Sequence, residues 1–192
     1  LVQLALSELL LERAVLHVAL DLPVSDVRGW YDRLLEEAGR RDWVDASDAT
    51  RVQLERIRHI HSYLQQGFTA ERLTDALDLM AEVMDFQPQT VVIDGFPFEL
   101  ARHDTVEALK TVAKEHGVRL WLTALTHRHE PPDEATGLPK AVAPFADALD
   151  VVLRLTPEGE HVRLRLLRDH DAETPEDPGL ELEPASLLVV TA

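Results

Sequence analysis

Thr90-Val91-Val92-Ile93-Asp94-Gly95 is a β-branched apolar run that ends in a carboxylate and then a glycine. Continuous apolar runs of this kind mark strands buried in parallel sheets, and in α/β folds ligands collect where such strands end. Asp94 is therefore placed at a candidate active edge; the plainer reading is a cap for the helix or turn that follows. A second run, Ala14-Val15-Leu16-His17-Val18-Ala19-Leu20, ends the same way at Asp21, ahead of Pro23. Two histidine pairs, His59-Ile60-His61 and His127-Arg128-His129, raise the question of a metal. On a helix, residues two apart point in different directions, since neighbours on one face are three or four apart. The helix predicted over 49–66 thus argues against a shared ion at the first pair. On an extended segment the spacing would work, and the second pair lies in a loop with Glu130 and Asp133 nearby. Neither pair is read as a ligand set.

The elements that must position the two acids follow from periodicity and punctuation. Leu1 to Arg13 reads as a helix without a start signal, and Ser25 or Asp26 offers a cap for a helix through Trp30, Tyr31, Leu34 and Leu35. A polar loop covers 40–49. Helical spacing is predicted over 49–66 and 69–84, split at Gly67, so that 33–84 forms a helical insertion larger than a simple crossover needs. After the strand at Asp94 come a helix over about 99–116, closed by Gly117, and a strand over 118–124. The segment 126–139, with three prolines, reads as a long exposed loop. Strands over 149–155 and 161–167 flank Pro157-Glu158-Gly159 as a hairpin, and an acidic loop over 169–183 leads to a last strand over 187–191. The succession predicts an α/β fold: a mostly parallel sheet flanked by helices, with an antiparallel hairpin at its C-terminal edge.

Composition bounds the function. With 192 residues and 45% hydrophobic content, one core of useful size is expected, and no second domain is required. No apolar stretch approaches a membrane span. The absence of cysteine excludes disulfides and thiolate metal sites and fits the cytoplasm. A net charge of −16, from 35 acids against 19 Lys plus Arg, opposes binding to nucleic acid unless a local basic patch supplies it.

Taken together, the pattern resembles the RecA-like P-loop ATPases, in the branch that includes the clock ATPase KaiC and the DNA-repair protein RadA. Leu1-Val2-Gln3-Leu4-Ala5 is similar to the helix that follows the family's Walker A loop, and the strand ending at Asp21 to the one that carries its water-activating acid. Thr90 to Asp94 looks like Walker B. The resemblance then implies bound ATP and Mg²⁺, with Asp94 holding the ion directly or through water and Asp21 activating the attacking water. It also implies a γ-phosphate sensor at Thr126, Thr123 and Thr126 being otherwise plain strand-end hydroxyls. Val162 to His170 resembles the strand that delivers a basic pair to a neighbouring subunit's nucleotide, here Arg168 and His170, in a homo-oligomeric ring, typically a hexamer. The alternating Arg163, Arg165 and Arg168 read more plainly as a wet sheet face.

The departures are as specific. No G-x-x-x-x-G-K-[ST] occurs in the 192 residues, and none of Lys110, Lys114 and Lys140 follows a glycine. Residues 1–192 are accordingly expected to be a single RecA-like core lacking its N-terminal P-loop portion. The alternative is a non-catalytic regulatory or assembly protein that keeps the fold and has lost the loop. Asp21 is one methylene shorter than the family's glutamate, and neutral His170 is a weaker cation than arginine. A Rossmann-type enzyme is disfavoured by the absence of the glycine fingerprint.

Overall fold

A computed structural model describes residues 1–127, 130–170, 172, 176–186 and 188–191. The chain forms two compact units, 1–125 and 126–192. Each is taken by itself.

The first unit is α/β. Helix α1 (Val2–Leu10) precedes β1 (Val15–Leu20), then α2 (Val24–Arg40), α3 (Asp48–Arg56), β2 (Arg58–Tyr63), α4 (Ala70–Met84), β3 (Thr90–Asp94), α5 (His103–Glu115) and β4 (Arg119–Leu122). The strands make one parallel sheet in the order β2-β1-β3-β4, with Ala19 opposite Asp94 and Leu20 opposite Tyr63. All six residues of β1 and the first four of β3 are buried, which is why these two strands read as unbroken apolar runs. α1 and α2 pack together, as do α4 and α5. This pairing follows from topology: β1 leads to β2 on one side, whereas β2 returns past β1 to β3 and then β4, and right-handed crossovers put the two sets of helices on opposite faces. Local signals set the helix starts, where the Ser47 and Thr69 hydroxyls accept from the backbone N–H groups of Thr50 and Arg72.

The sequence predicts helix over 49–66, but the helix ends at Arg56 and Arg58–Tyr63 is the edge strand β2. The segment 33–84 is thus two crossovers around a strand and not a helical insertion. The cause is tertiary: an amphipathic stretch of nearly helical composition is captured by the open edge of β1, whose six backbone partners it satisfies.

The second unit is a separate antiparallel sheet in the order β5-β6-β7-β8, made of Val151–Glu158, His161–Asp169, Leu180–Leu182 and Val189–Thr191, after a 3₁₀ turn at Ala143–Ala148. The hairpin is as expected, closed by Gly159 at φ +63° and Glu160. It does not form an edge of the parallel sheet, as the sequence suggests, because β6 continues into its own partner β7 within the stretch expected as acidic loop. Leu187 of the expected last strand lies outside the described residues. Among the described residues, no helix is long and apolar enough to cross a membrane.

Gly95, directly after Asp94, has φ +81°, and a β-carbon there would stand 3.1 Å from the Leu20 carbonyl oxygen. Gly95→Ala is therefore expected to lower the unfolding free energy by about 1–3 kcal/mol, read from urea unfolding midpoints at constant slope.

Candidate functional site at the carboxyl edge of the parallel sheet

Both strand-ending acids sit at one edge of the sheet, on adjacent strands. Asp94 is the last residue of β3, and Asp21 follows β1, which pairs with it. The chain reverses at Asp21 in the left-handed region, φ 57°, a conformation that aspartate tolerates better than most residues. Its N–H donates to the Tyr63 carbonyl at 2.9 Å, so the acid is held by the end of β2.

A chain of hydrogen bonds joins all four strand ends. The Gln65 backbone N–H donates to Asp21 Oδ1 at 3.0 Å, and the Gln65 side-chain amide donates to the Gly95 carbonyl at 3.0 Å. The Gly95 N–H donates to Thr123 Oγ1 at 2.8 Å, and the Thr123 hydroxyl donates in turn to Asp94 Oδ1 at 2.8 Å. Thr123 thus accepts with one lone pair and donates its single proton, which fixes its rotor and through it the Asp94 carboxylate. Among the described residues Asp94 Oδ2 takes no hydrogen bond, and it is the oxygen left for a ligand. The Ser62 hydroxyl donates to the Leu22 carbonyl at 2.6 Å and pins the loop after Asp21.

Beneath this edge lies a buried polar cluster on the face covered by α2. His17, in β1, is fully buried; its Nδ1 lies 3.0 Å from the Tyr31 hydroxyl, and among the described residues its Nε2 has no hydrogen-bond partner. The Arg58 guanidinium stands over the Tyr31 ring, 4.4 Å from its centroid. Burial lowers the His17 pKa to about 4 despite the pull of the Asp94 charge in the other direction, with Arg58 adding to the lowering. Burial likewise pushes the Tyr31 phenol up and the Arg58 guanidinium down. The N-terminal end of α1 is directed toward the same edge, because Glu8 near the helix's C-terminal end accepts from the hydroxyl of Thr90 at the start of β3, 3.4 Å away.

The structure brings together Asp21 and Asp94 and adds Thr123 and Gln65. Thr126 is exposed at the start of the second unit, and the hydroxyl that bonds Asp94 within the first unit is that of Thr123. Arg168 and His170 belong to the second unit. Arg168 is half-buried near the end of β6, its Nε without a hydrogen-bond partner among the described residues, while His170 is exposed and its ring contacts the Asp169 carboxylate at 2.8 Å. Of the second histidine pair, Arg128 and His129 lie outside the described residues. Thr123 had a signal in sequence, since it ends its apolar run as Asp94 ends its own. Gln65 had none, because the strand before it reads as helix.

Among the described residues, no three His, Cys, Asp or Glu side chains gather to hold a metal. Two carboxylates on neighbouring strand ends suit Mg²⁺, which keeps several waters and takes one or two carboxylates plus substrate phosphate oxygens. No family model matches the chain, and no curated protein matches it.

Because His17 is neutral when folded and titrates near the ordinary value of 6.5 when unfolded, the unfolded chain binds the extra proton between those values. Its stabilising contribution is whole above about pH 6.5 and is lost as pH falls toward about 4, over a span of about 3 kcal/mol. Denaturant unfolding from pH 7.5 to 4 is expected to show a steeper acid loss in the wild type than in His17→Phe, which keeps a ring on Tyr31 and has no proton to gain.

Proposed function

We propose that the carboxyl edge of the parallel sheet binds Mg-ATP and that the chain is a RecA-like ATPase module of the KaiC and RadA kind, working at subunit interfaces of a ring. One observation carries this reading: adjacent parallel strands end in Asp21 and Asp94, and a single hydrogen-bond chain through Gln65, Gly95 and Thr123 holds both carboxylates at one edge. The strand order adds to it, because β1 and β3 are where the sheet reverses direction, and the loops leaving them diverge to opposite faces. The N-terminal end of α1, directed toward this edge, contributes positive potential for phosphate.

In this reading Mg²⁺ neutralises the phosphate charge, and Asp94 Oδ2 faces the ion or a water on it. Asp21, with Oδ1 occupied by the Gln65 N–H, uses its other oxygen to orient and deprotonate the attacking water. Thr123 takes the sensor role first assigned to Thr126, since it bonds both the carboxylate and the backbone of the next residue. Arg168, with His170, would act on the nucleotide of a neighbouring subunit. The reading requires a G-x-x-x-x-G-K-[ST] segment ahead of Leu1, as residues 1–192 contain none. That same observation favours the second reading, a non-catalytic assembly or regulatory protein on this fold.

The test is Mg-ATP binding and turnover by the protein together with whatever sequence precedes Leu1. Asp94→Asn keeps an acceptor for the Thr123 hydroxyl, so the fold is expected to persist while turnover falls at least about 100-fold. Thr123→Val is expected to cost about 10-fold or more, with Thr123→Ser restoring most of it. Unchanged turnover in Asp94→Asn removes the assigned role, and no nucleotide binding by the intact protein selects the non-catalytic reading. If Arg168 acts in trans, mixing inactive Arg168→Ala subunits with inactive Asp94→Asn subunits recovers part of the hydrolysis, because some interfaces then combine the intact acid with the intact arginine.

A further inference from the structure

His59 and His61 are two apart on β2, so their side chains leave the same face of the sheet, the opposite of what a helix over these residues imposes. β2 is an edge strand, and both imidazoles are half-buried. Their ring centroids are 6.5 Å apart. Each ring is held from behind. His59 packs against Phe86 with centroids 4.3 Å apart, and His61 Nδ1 lies 3.4 Å from the Tyr63 hydroxyl. With Nδ1–H donating to Tyr63, the His61 Nε2 lone pair is free, which is the arrangement by which a protein partner orients a metal-ligating histidine. Among the described residues no hydrogen bond reaches Nε2 of either ring.

We propose that His59 and His61 form a two-nitrogen chelate for a borderline divalent transition ion, with Zn²⁺ as the probe and Tyr63 as the residue that orients His61. Two imidazoles on one tetrahedral Zn²⁺ at about 2.0–2.1 Å place their ring centroids about 5 Å apart. The observed separation of 6.5 Å therefore has to close by about 1.5 Å when the ion binds. No third His, Cys, Asp or Glu joins them among the described residues, so water completes the coordination and the site stays open. Imidazole selects Zn²⁺, Ni²⁺ or Cu²⁺ over Mg²⁺, which takes oxygen ligands, so this site is chemically separate from the carboxylate edge.

Calorimetric titration with Zn²⁺ in the presence of millimolar Mg²⁺ is expected to show one saturable equivalent. His59→Phe and His61→Phe keep a ring in each position and are each expected to weaken that binding at least about ten-fold, and Tyr63→Phe about ten-fold. The double variant His103→Ala/His116→Ala is expected to bind as the wild type does. Absence of saturable Zn²⁺ binding by the wild type, or unchanged binding in both phenylalanine variants, overturns the proposal and leaves the rings as packing groups. Should the phenylalanine variants fail to fold, wild-type affinity in Tyr63→Phe overturns it instead.

Discussion

A connection between parallel strands in one sheet is right-handed, and here two such connections start from neighbouring strands and run in opposite directions. β1 leads outward to β2 and β3 leads outward to β4, so α2 and α5 must lie on opposite faces of the sheet. The chain leaving Asp21 and the chain leaving Gly95 therefore part above two strand ends that are held side by side by the ladder. Everything at the candidate site inherits this constraint. The acids share one edge because the strands are neighbours.

Keeping these strand ends in order costs backbone conformations that few residues tolerate. Gly95 occupies positive φ with the Leu20 carbonyl 3.1 Å from where a β-carbon would be, and Asp21 turns in the left-handed region. These costs are offset by hydrogen bonds that converge on the same residues, with Gly95 bonded through both its N–H and its carbonyl. The Asp94 carboxylate is thus oriented by a threonine that is itself oriented by backbone. Such preorganisation is what electrostatic work on a ligand demands, since a carboxylate free to rotate would spend part of the binding energy on being ordered.

Below these strand ends the fold accepts a buried histidine, phenol and guanidinium where an all-apolar packing would be simpler. The arrangement avoids an isolated charge. The His17 ring stays neutral and shares a hydrogen bond with Tyr31, and the Arg58 charge rests on the Tyr31 π face with Glu55 near its outer edge. A deeply buried imidazole that stays neutral in the fold makes the first unit sensitive to acid.

Residue order alone was sufficient for the strands at β1 and β3, the acids that end them, the helices α2, α4 and α5, and the hairpin at Gly159, because each is written in local periodicity or in a residue with restricted φ. It was insufficient for β2. Arg58 to Tyr63 carries no strong alternation, and it is a strand because the edge of β1 offers hydrogen-bond partners, a fact about a segment some forty residues away. Misreading that strand also hid Gln65 and set His59 and His61 on opposite sides of an imagined helix. The separation of the C-terminal strands into their own sheet was equally beyond local signals, since three-residue strands such as β7 are stabilised by neighbours and not by their own composition. The sequence determined which residues could do chemistry; the pairing of strands distant in the chain decided which of them meet, because register and adjacency are set by long-range hydrogen bonds that no window of residues contains.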